Sequence, residues 1–183
     1  KLIDINKPML SVSAGLPPAW IDVEQGSDPR TKNSGTSHIS IVDSYGNILS
    51  MTTSVETAFG SHLMVGGFVL NNQLTDFSFK PTDENGQLVA NRVGPGKRPR
   101  SSMAPVIVFD PKGRPFMVIG SAGGSRIIGY VLQRIISVID WKMGLQDAID
   151  APNILNRGNK LELESSGMNW AETFKNLGHP VLV

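Results

Sequence analysis

The chain has no cysteine, which excludes disulfides, thiolate nucleophiles and zinc-thiolate centres while leaving the compartment open. Its three histidines, His38, His62 and His179, share no metal-ligand spacing, and no metal or organic cofactor is expected. No block of like charge occurs and the net charge is +1, so neither a nucleic-acid footprint nor a charged tail is expected. The apolar runs fall well short of the roughly 20 residues that span a bilayer. Large apolar residues are missing altogether from Glu24 to Gly35, which reads as an exposed, flexible linker. The chain starts at Lys1 and ends on apolar Val181-Leu182-Val183, as though cut at both ends, so the lack of a visible targeting segment excludes no compartment. What remains is 183 residues, 40% apolar and 18% charged, enough for one ordinary core.

The linker runs into Asn33-Ser34-Gly35-Thr36-Ser37-His38 and then strand-like Ile39-Ser40-Ile41-Val42-Asp43, placing a hydroxyl directly behind a glycine. Cleavage between Gly35 and Thr36 makes threonine an N-terminal residue carrying nucleophile and base together, because an α-amine with a pKa of about 7.7–8.0 is partly neutral near pH 7. Gly35 suits that step, since the absence of a Cβ opens its carbonyl to attack. An ordinary turn before a strand has the same local pattern. Alternating runs around Ser44-Tyr45-Gly46 predict a hairpin with a three-residue loop, in which Asp43 faces Asn47 and Thr36 faces Ser54. Glu56 then follows on the face of Ser54. His38 shares the face of Thr36, where a satisfied structural histidine is the expectation.

A second hairpin is predicted from Pro105–Asp110 and Pro115–Gly120 around Pro111-Lys112-Gly113-Arg114. Ser121-Ala122-Gly123-Gly124 then leads into a helix with an apolar face of Ile127, Ile128, Val131, Leu132, Ile135, Ile136 and Ile139. A Gly-Gly pair at such a turn offers unencumbered backbone N–H groups near a positive helix end, the parts of an oxyanion hole, or simply a tight turn. A short helix at Leu145–Ile149, a strand at Lys160–Glu164 and a helix at Trp170–Asn176 complete an α+β pattern.

Four blocks resemble the γ-glutamyltranspeptidases in that family's order: Thr36 to Gly60, Leu70 to Ser78, Lys97 to Pro105, and Gly120 to Ile127. The resemblance implies the αββα sandwich of N-terminal nucleophile hydrolases, incomplete at both ends. Residues 1–35 would be the tail of the large-subunit region with the processing linker, and residues 36–183 a truncated small-subunit catalytic domain. It further implies that Thr36 attacks the Gly35 carbonyl to mature the precursor. The freed threonine would then attack the γ-carbonyl of glutathione or a related γ-glutamyl donor, with water, an amino acid or a peptide as acceptor. Ser54 stands where threonine is usual and keeps the hydroxyl. Gly123 and Gly124 match the oxyanion glycines; Glu56, Gln73 and Asp76 match positions holding the α-amino group, where carboxylates suit a cation. Ser101 and Ser102 match the pair that grips the α-carboxylate.

Taken singly, Asn71-Asn72 and Asp76 are also turn formers, Ser101-Ser102 also a cap, and Glu56 also a solvated charge. The family's large subunit supplies an arginine for the α-carboxylate that nothing in residues 1–35 matches, so the missing large-subunit portion of the same precursor is an expected partner. Residues 81–92 occupy the place of an active-site lid without an aromatic gate, and Arg100 replaces a commonly apolar residue. Periplasmic or extracellular location follows by resemblance alone. Two alternatives stay open: an N-terminal nucleophile acylase of other donors, like the cephalosporin acylases or poly-γ-glutamate-processing enzymes, and an inert folded module that associates through exposed apolar surface.

Overall fold

The computed structural model describes residues 35–157 and 160–183, so the linker expected at residues 24–35 lies outside the described residues except for Gly35, which begins a strand. Strands and helices are mixed, as the α+β reading requires, and the described residues fall into two units, residues 35–128 and residues 129–183.

In the first unit, β1 (Gly35–Val42) and β2 (Ile48–Glu56) form the expected antiparallel hairpin. Its turn is held by chemistry contained within five residues. The Asp43 carboxylate accepts the N–H groups of Tyr45 and Asn47 at 2.9 and 2.8 Å, and Gly46 takes the left-handed conformation at φ 85°. The same device recurs twice. Asp110 accepts the N–H groups of Lys112 and Arg114 at 2.8 and 2.9 Å with Gly113 at φ 77°. Asp83 accepts those of Asn85 and Gln87 at 2.9 and 3.0 Å with Gly86 at φ 78°. The Asp110 turn joins the expected second hairpin, β5 (Val106–Phe109) with β6 (Pro115–Ile119). A small hairpin that the sequence reading did not anticipate, β3 (Met64–Val65) with β4 (Phe68–Val69), turns on Gly66 and Gly67, both at positive φ. Phe77, Val89, Met117 and Ile127 are the buried apolar residues of this unit.

The hairpin β1–β2 is amphipathic in an unusual sense. Thr36 and His38 on β1 and Ser50, Thr52 and Ser54 on β2 are half-buried, whereas the alternate residues Ile39, Ile41, Leu49, Met51 and Val55 are 37–49% exposed. The polar face turns toward β6, where the Ser50 hydroxyl donates to the Ile119 carbonyl at 3.2 Å.

The second unit holds a sheet in the order β7 (Ile154–Arg157), β8 (Lys160–Leu163) and β9 (Val181–Leu182), with β8–β9 parallel. Helices α2 (Leu145–Asp150) and α3 (Ala171–Asn176) fall where the sequence places them, α3 being preceded by a 3-10 turn at Ser165–Trp170. Helix α1 (Ile127–Ile139) begins in the first unit and continues in the second. Its buried stripe departs from the expected one: Ile127, Val131, Arg134 and Ser137 are buried, while Ile128 and Leu132 are more than half exposed. Arg134 is tolerated there because its guanidinium donates to the Ala151 carbonyl at 2.7 Å, and Ser137 because its hydroxyl bonds the Gln133 carbonyl one turn back at 2.8 Å. Among the described residues no helix is long and apolar enough to cross a membrane.

Candidate active site

The register of β1–β2 follows the sequence count from Val42↔Ile48 to Ser37↔Thr53, and then slips so that Gly35 pairs with Glu56. Ser54 and Val55 therefore share the place opposite Thr36, a bulge of two residues against one. Glu56 takes a positive φ of 75° as the strand ends, unusual for a residue with a Cβ. Within this bulge the Ser54 hydroxyl donates to the Gly35 carbonyl oxygen at 2.6 Å and accepts the Glu56 N–H at 2.8 Å. The sequence places Ser54 near the nucleophile's hydroxyl or amine. The structure aims it at the carbonyl of the Gly35-Thr36 peptide instead.

The segment that leaves β6 passes along the same polar face. A Cβ built on Gly120 would lie 2.1 Å from the His38 ring, so only glycine lets the backbone come this close to β1. His38 is a satisfied structural residue: Nδ1 is 2.9 Å from the Thr52 hydroxyl and Nε2 is 3.0 Å from that of Ser40. Burial lowers its pKa below the ordinary 6.5, favouring the neutral ring. Beyond Gly120 the chain reaches Gly123 at φ 127° and Gly124 at φ 59°, conformations that L side chains rarely adopt. A 3-10 turn, Gly124–Arg126, then enters α1, so the expected glycine turn is present, with a tighter entry to the helix than expected.

Glu56, Gln73 and Asp76, 20 positions apart at the extremes, are brought together. The Gln73 side-chain amide donates to Asp76 Oδ2 at 2.8 Å and to Glu56 Oε2 at 3.3 Å, so two carboxylates converge on one NH2 group. Glu56 is buried, and Gln73 and Asp76 are half-buried in a 3-10 turn, Gln73–Asp76. Asn72 makes this meeting possible. Its Oδ1 accepts the N–H and hydroxyl of Thr57 at 3.1 and 3.0 Å, its backbone N–H reaches the Val55 carbonyl at 3.3 Å, and its Nδ2 donates to the Thr75 hydroxyl at 3.0 Å. The residue read as a turn former thus staples the Gln73–Asp76 turn to the end of β2. Ser101 is exposed and its hydroxyl accepts the Met103 N–H at 3.2 Å; Ser102 is half-buried.

Sequence reasoning missed Asn91, which bonds both the Asp76 carbonyl at 2.6 Å and the Arg100 N–H at 2.9 Å. A half-buried asparagine six residues before a Lys-Arg-Pro segment carries no local signal of that role. Among the described residues no three or more His, Asp or Glu side chains are grouped so as to hold a metal ion.

A family model described as Gamma-glutamyltranspeptidase matches residues 3–182. The Glutathione hydrolase proenzyme of Escherichia coli K12 is 41% identical over 156 residues, covering 82% of this chain and 25% of that protein. The proenzyme of the same description from Bacillus subtilis subsp. natto is 42% identical over 134 residues, covering 72% of this chain and 22% of its own length. The chain thus spans about a quarter of the length of these curated relatives. Among solved structures, a mutant of Helicobacter pylori gamma-glutamyltranspeptidase superposes with a TM-score of 0.68 at 36% identity, covering 79% of this chain and 83% of that one. The fold is therefore of the N-terminal nucleophile hydrolase type.

Proposed function

The chain belongs to the gamma-glutamyltranspeptidase family, and on that premise we infer that residues 36–183 form part of a catalytic domain that cleaves γ-glutamyl amides through an N-terminal Thr36. The observation that carries this reading is the backbone pairing of Gly35 with Glu56, a residue whose buried carboxylate shares the Gln73 side-chain amide with Asp76. A γ-glutamyl donor separates a cationic α-amine from the carbonyl under attack by a few bonds. In this reading Glu56 and Asp76 accept from the first while the Thr36 hydroxyl attacks the second.

In the first step the Thr36 hydroxyl attacks the Gly35 carbonyl, whose oxygen is held by Ser54. The peptide nitrogen departs as the Thr36 α-amine, leaving an ester that water hydrolyses to free residues 1–35. In turnover the α-amine takes the proton of the Thr36 hydroxyl as that oxygen attacks the donor's γ-carbonyl. The developing oxyanion is met by backbone N–H groups of Gly123 and Gly124. The leaving amine takes the proton, and water or an amino acid releases the acyl group. Glu56 and Asp76 hold the donor's α-ammonium, oriented by Gln73, and the hydroxyls of Ser101 and Ser102 its α-carboxylate. Glutathione and related γ-glutamyl compounds are the donors in this reading, the large-subunit region is the partner that completes the site, and the periplasm or exterior is the location.

Intact mass after incubation, with Thr36→Ala as control, tests the nucleophile. Loss of residues 1–35 from the wild type alone supports it, and an uncut chain in the whole gene product overturns it. Comparing γ-glutamyl with glutaryl chromogenic amides tests the donor. Faster turnover of the glutaryl amide, which lacks the α-amine, points instead to an acylase of other donors. The uncovered apolar face of β1–β2 favours a second reading for the isolated chain, as an inert module that self-associates. Concentration-dependent size without turnover is its signature.

A further inference from the structure

We propose that Asn91 is a specificity-determining positioning residue: a single side-chain amide that locks the spacing between the α-amino and α-carboxylate subsites of the donor site. The inference rests on the donor reading above and concerns how that site is held. Asn91 closes an excursion of the chain that departs after Phe77 and returns at Arg92, tied at its root by the Ser78 N–H donating to the Asn91 carbonyl at 2.8 Å. From that root the side chain reaches in two directions. Nδ2 donates to the Asp76 backbone carbonyl at 2.6 Å, and Oδ1 accepts the Arg100 backbone N–H at 2.9 Å. The orientation of the amide is dictated by its partners, because a carbonyl only accepts and a backbone N–H only donates. Both functional ends of the amide are therefore used at once.

The two backbone groups belong to different substrate contacts. Asp76 carries a carboxylate for the α-ammonium, and Arg100 immediately precedes Ser101 and Ser102, the hydroxyls for the α-carboxylate. The segment from Lys97 to Pro105 has no regular strand or helix beyond a turn at its start to set its distance from the Gln73–Asp76 turn. In an α-amino acid the two charged groups hang from one carbon, so their spacing is invariant, and a rigid bridge between their receptors matches the ligand. Asn91 does not touch the donor. It sets how well the amino and carboxylate contacts are satisfied together, and hence the preference for a donor bearing both.

The test uses the whole gene product, matured, with γ-glutamyl and glutaryl 4-nitroanilides as donors. Asn91→Ala removes both bonds and raises KM for the γ-glutamyl donor about tenfold, the factor that loss of two ordinary hydrogen bonds corresponds to. Its kcat stays within about threefold of wild type, because the attacking groups are untouched. Asn91→Asp preserves size and the Arg100 bond while facing the Asp76 carbonyl with an oxygen. It raises KM for the γ-glutamyl donor and leaves that for the glutaryl donor, which has no α-amine to misplace, unchanged. A purely structural role would depress both donors and both variants alike, and that result overturns the proposal, as does a wild-type KM in Asn91→Ala. A wild type that turns over neither donor, or prefers the glutaryl one, overturns the donor reading itself and the proposal with it.

Discussion

The Ser54 hydroxyl donates a 2.6 Å hydrogen bond to the carbonyl oxygen of Gly35, and is itself oriented by the Glu56 N–H at 2.8 Å. This bond acts on the uncut peptide. On the proposed maturation route it withdraws electron density from the carbonyl under attack by Thr36 and stabilises the negative charge which that attack would create. Ser54→Ala is expected to slow maturation by about 10²–10³, the range for losing one oxyanion donor. Ser54→Thr, which keeps the hydroxyl, should mature at near the wild-type rate. A gel or mass time course reads both, and wild-type cleavage by Ser54→Ala would show that the bond contributes nothing.

Gly120 and His38 should behave as a coupled pair. Gly120→Ala drives a methyl group into the His38 ring, a clash at 2.1 Å that costs about 1–3 kcal/mol as overpacking. In a His38→Ala background the space is open, so the second substitution should cost less than about 0.5 kcal/mol. Urea unfolding of the four proteins in the cycle measures the coupling, and strictly additive effects would mean the contact is relaxed by movement elsewhere.

Acid should destabilise the first unit in two separate windows. His38 has a pKa lowered by burial, so the unfolded chain binds its proton more readily, and stability present above pH 6.5 falls as pH drops below that value. Asp43 and Asp110 have pKa values lowered below the ordinary 3.8, Asp43 first by its Asn47 side-chain bond and Asp110 first by the Arg114 backbone N–H. Their contribution is complete above pH 3.8 and is lost as pH falls from there through the lower folded values. Thermal melts across pH should show that His38→Gln flattens the upper window only and that Asp110→Asn flattens the lower one only. A single transition unaffected by either substitution would contradict this.

Glu56 combines a left-handed backbone with a buried carboxylate, two unfavourable features at one position. Asparagine adopts positive φ more readily and carries no charge, so Glu56→Asn should raise stability by about 1 kcal/mol. The same change removes one of the carboxylates around Gln73 and should raise KM for γ-glutamyl donors. Higher melting temperature with weaker donor binding is the expected result. Parallel losses of both would indicate that the carboxylate serves the fold.

Much of the local architecture was legible because its causes lie within a few residues. The turns at Asp43–Asn47 and Asp110–Arg114 are encoded by an aspartate that bonds its own loop and a glycine able to take positive φ; the first sets the register of β1–β2, whereas the β5–β6 register shifts between Val108 and Phe109, just beyond its turn. The third turn, at Asp83–Gln87, has the same code and was passed over inside a stretch read as a lid. The count along β1–β2 failed only at its far end, where Glu56 leaves the strand and Gly35 finds it as a partner. The residue types of the candidate site were named through family resemblance. Their contacts were not.

By itself, the sequence determined what short-range chemistry controls: hairpin turns, strand alternation, the length of α1, the glycine pair at its start, and a hydroxyl behind a glycine at residue 36. Tertiary structure alone decided which face of β1–β2 turns toward β6, that Arg134 and Ser137 lie on the buried stripe of α1, and that Gly120 admits the His38 ring. It also decided that one glutamine joins carboxylates 20 positions apart and that one asparagine ties Asp76 to Arg100. Those outcomes depend on which groups, distant along the chain, arrive within hydrogen-bonding distance, and no pattern confined to a few neighbouring residues encodes that arrival.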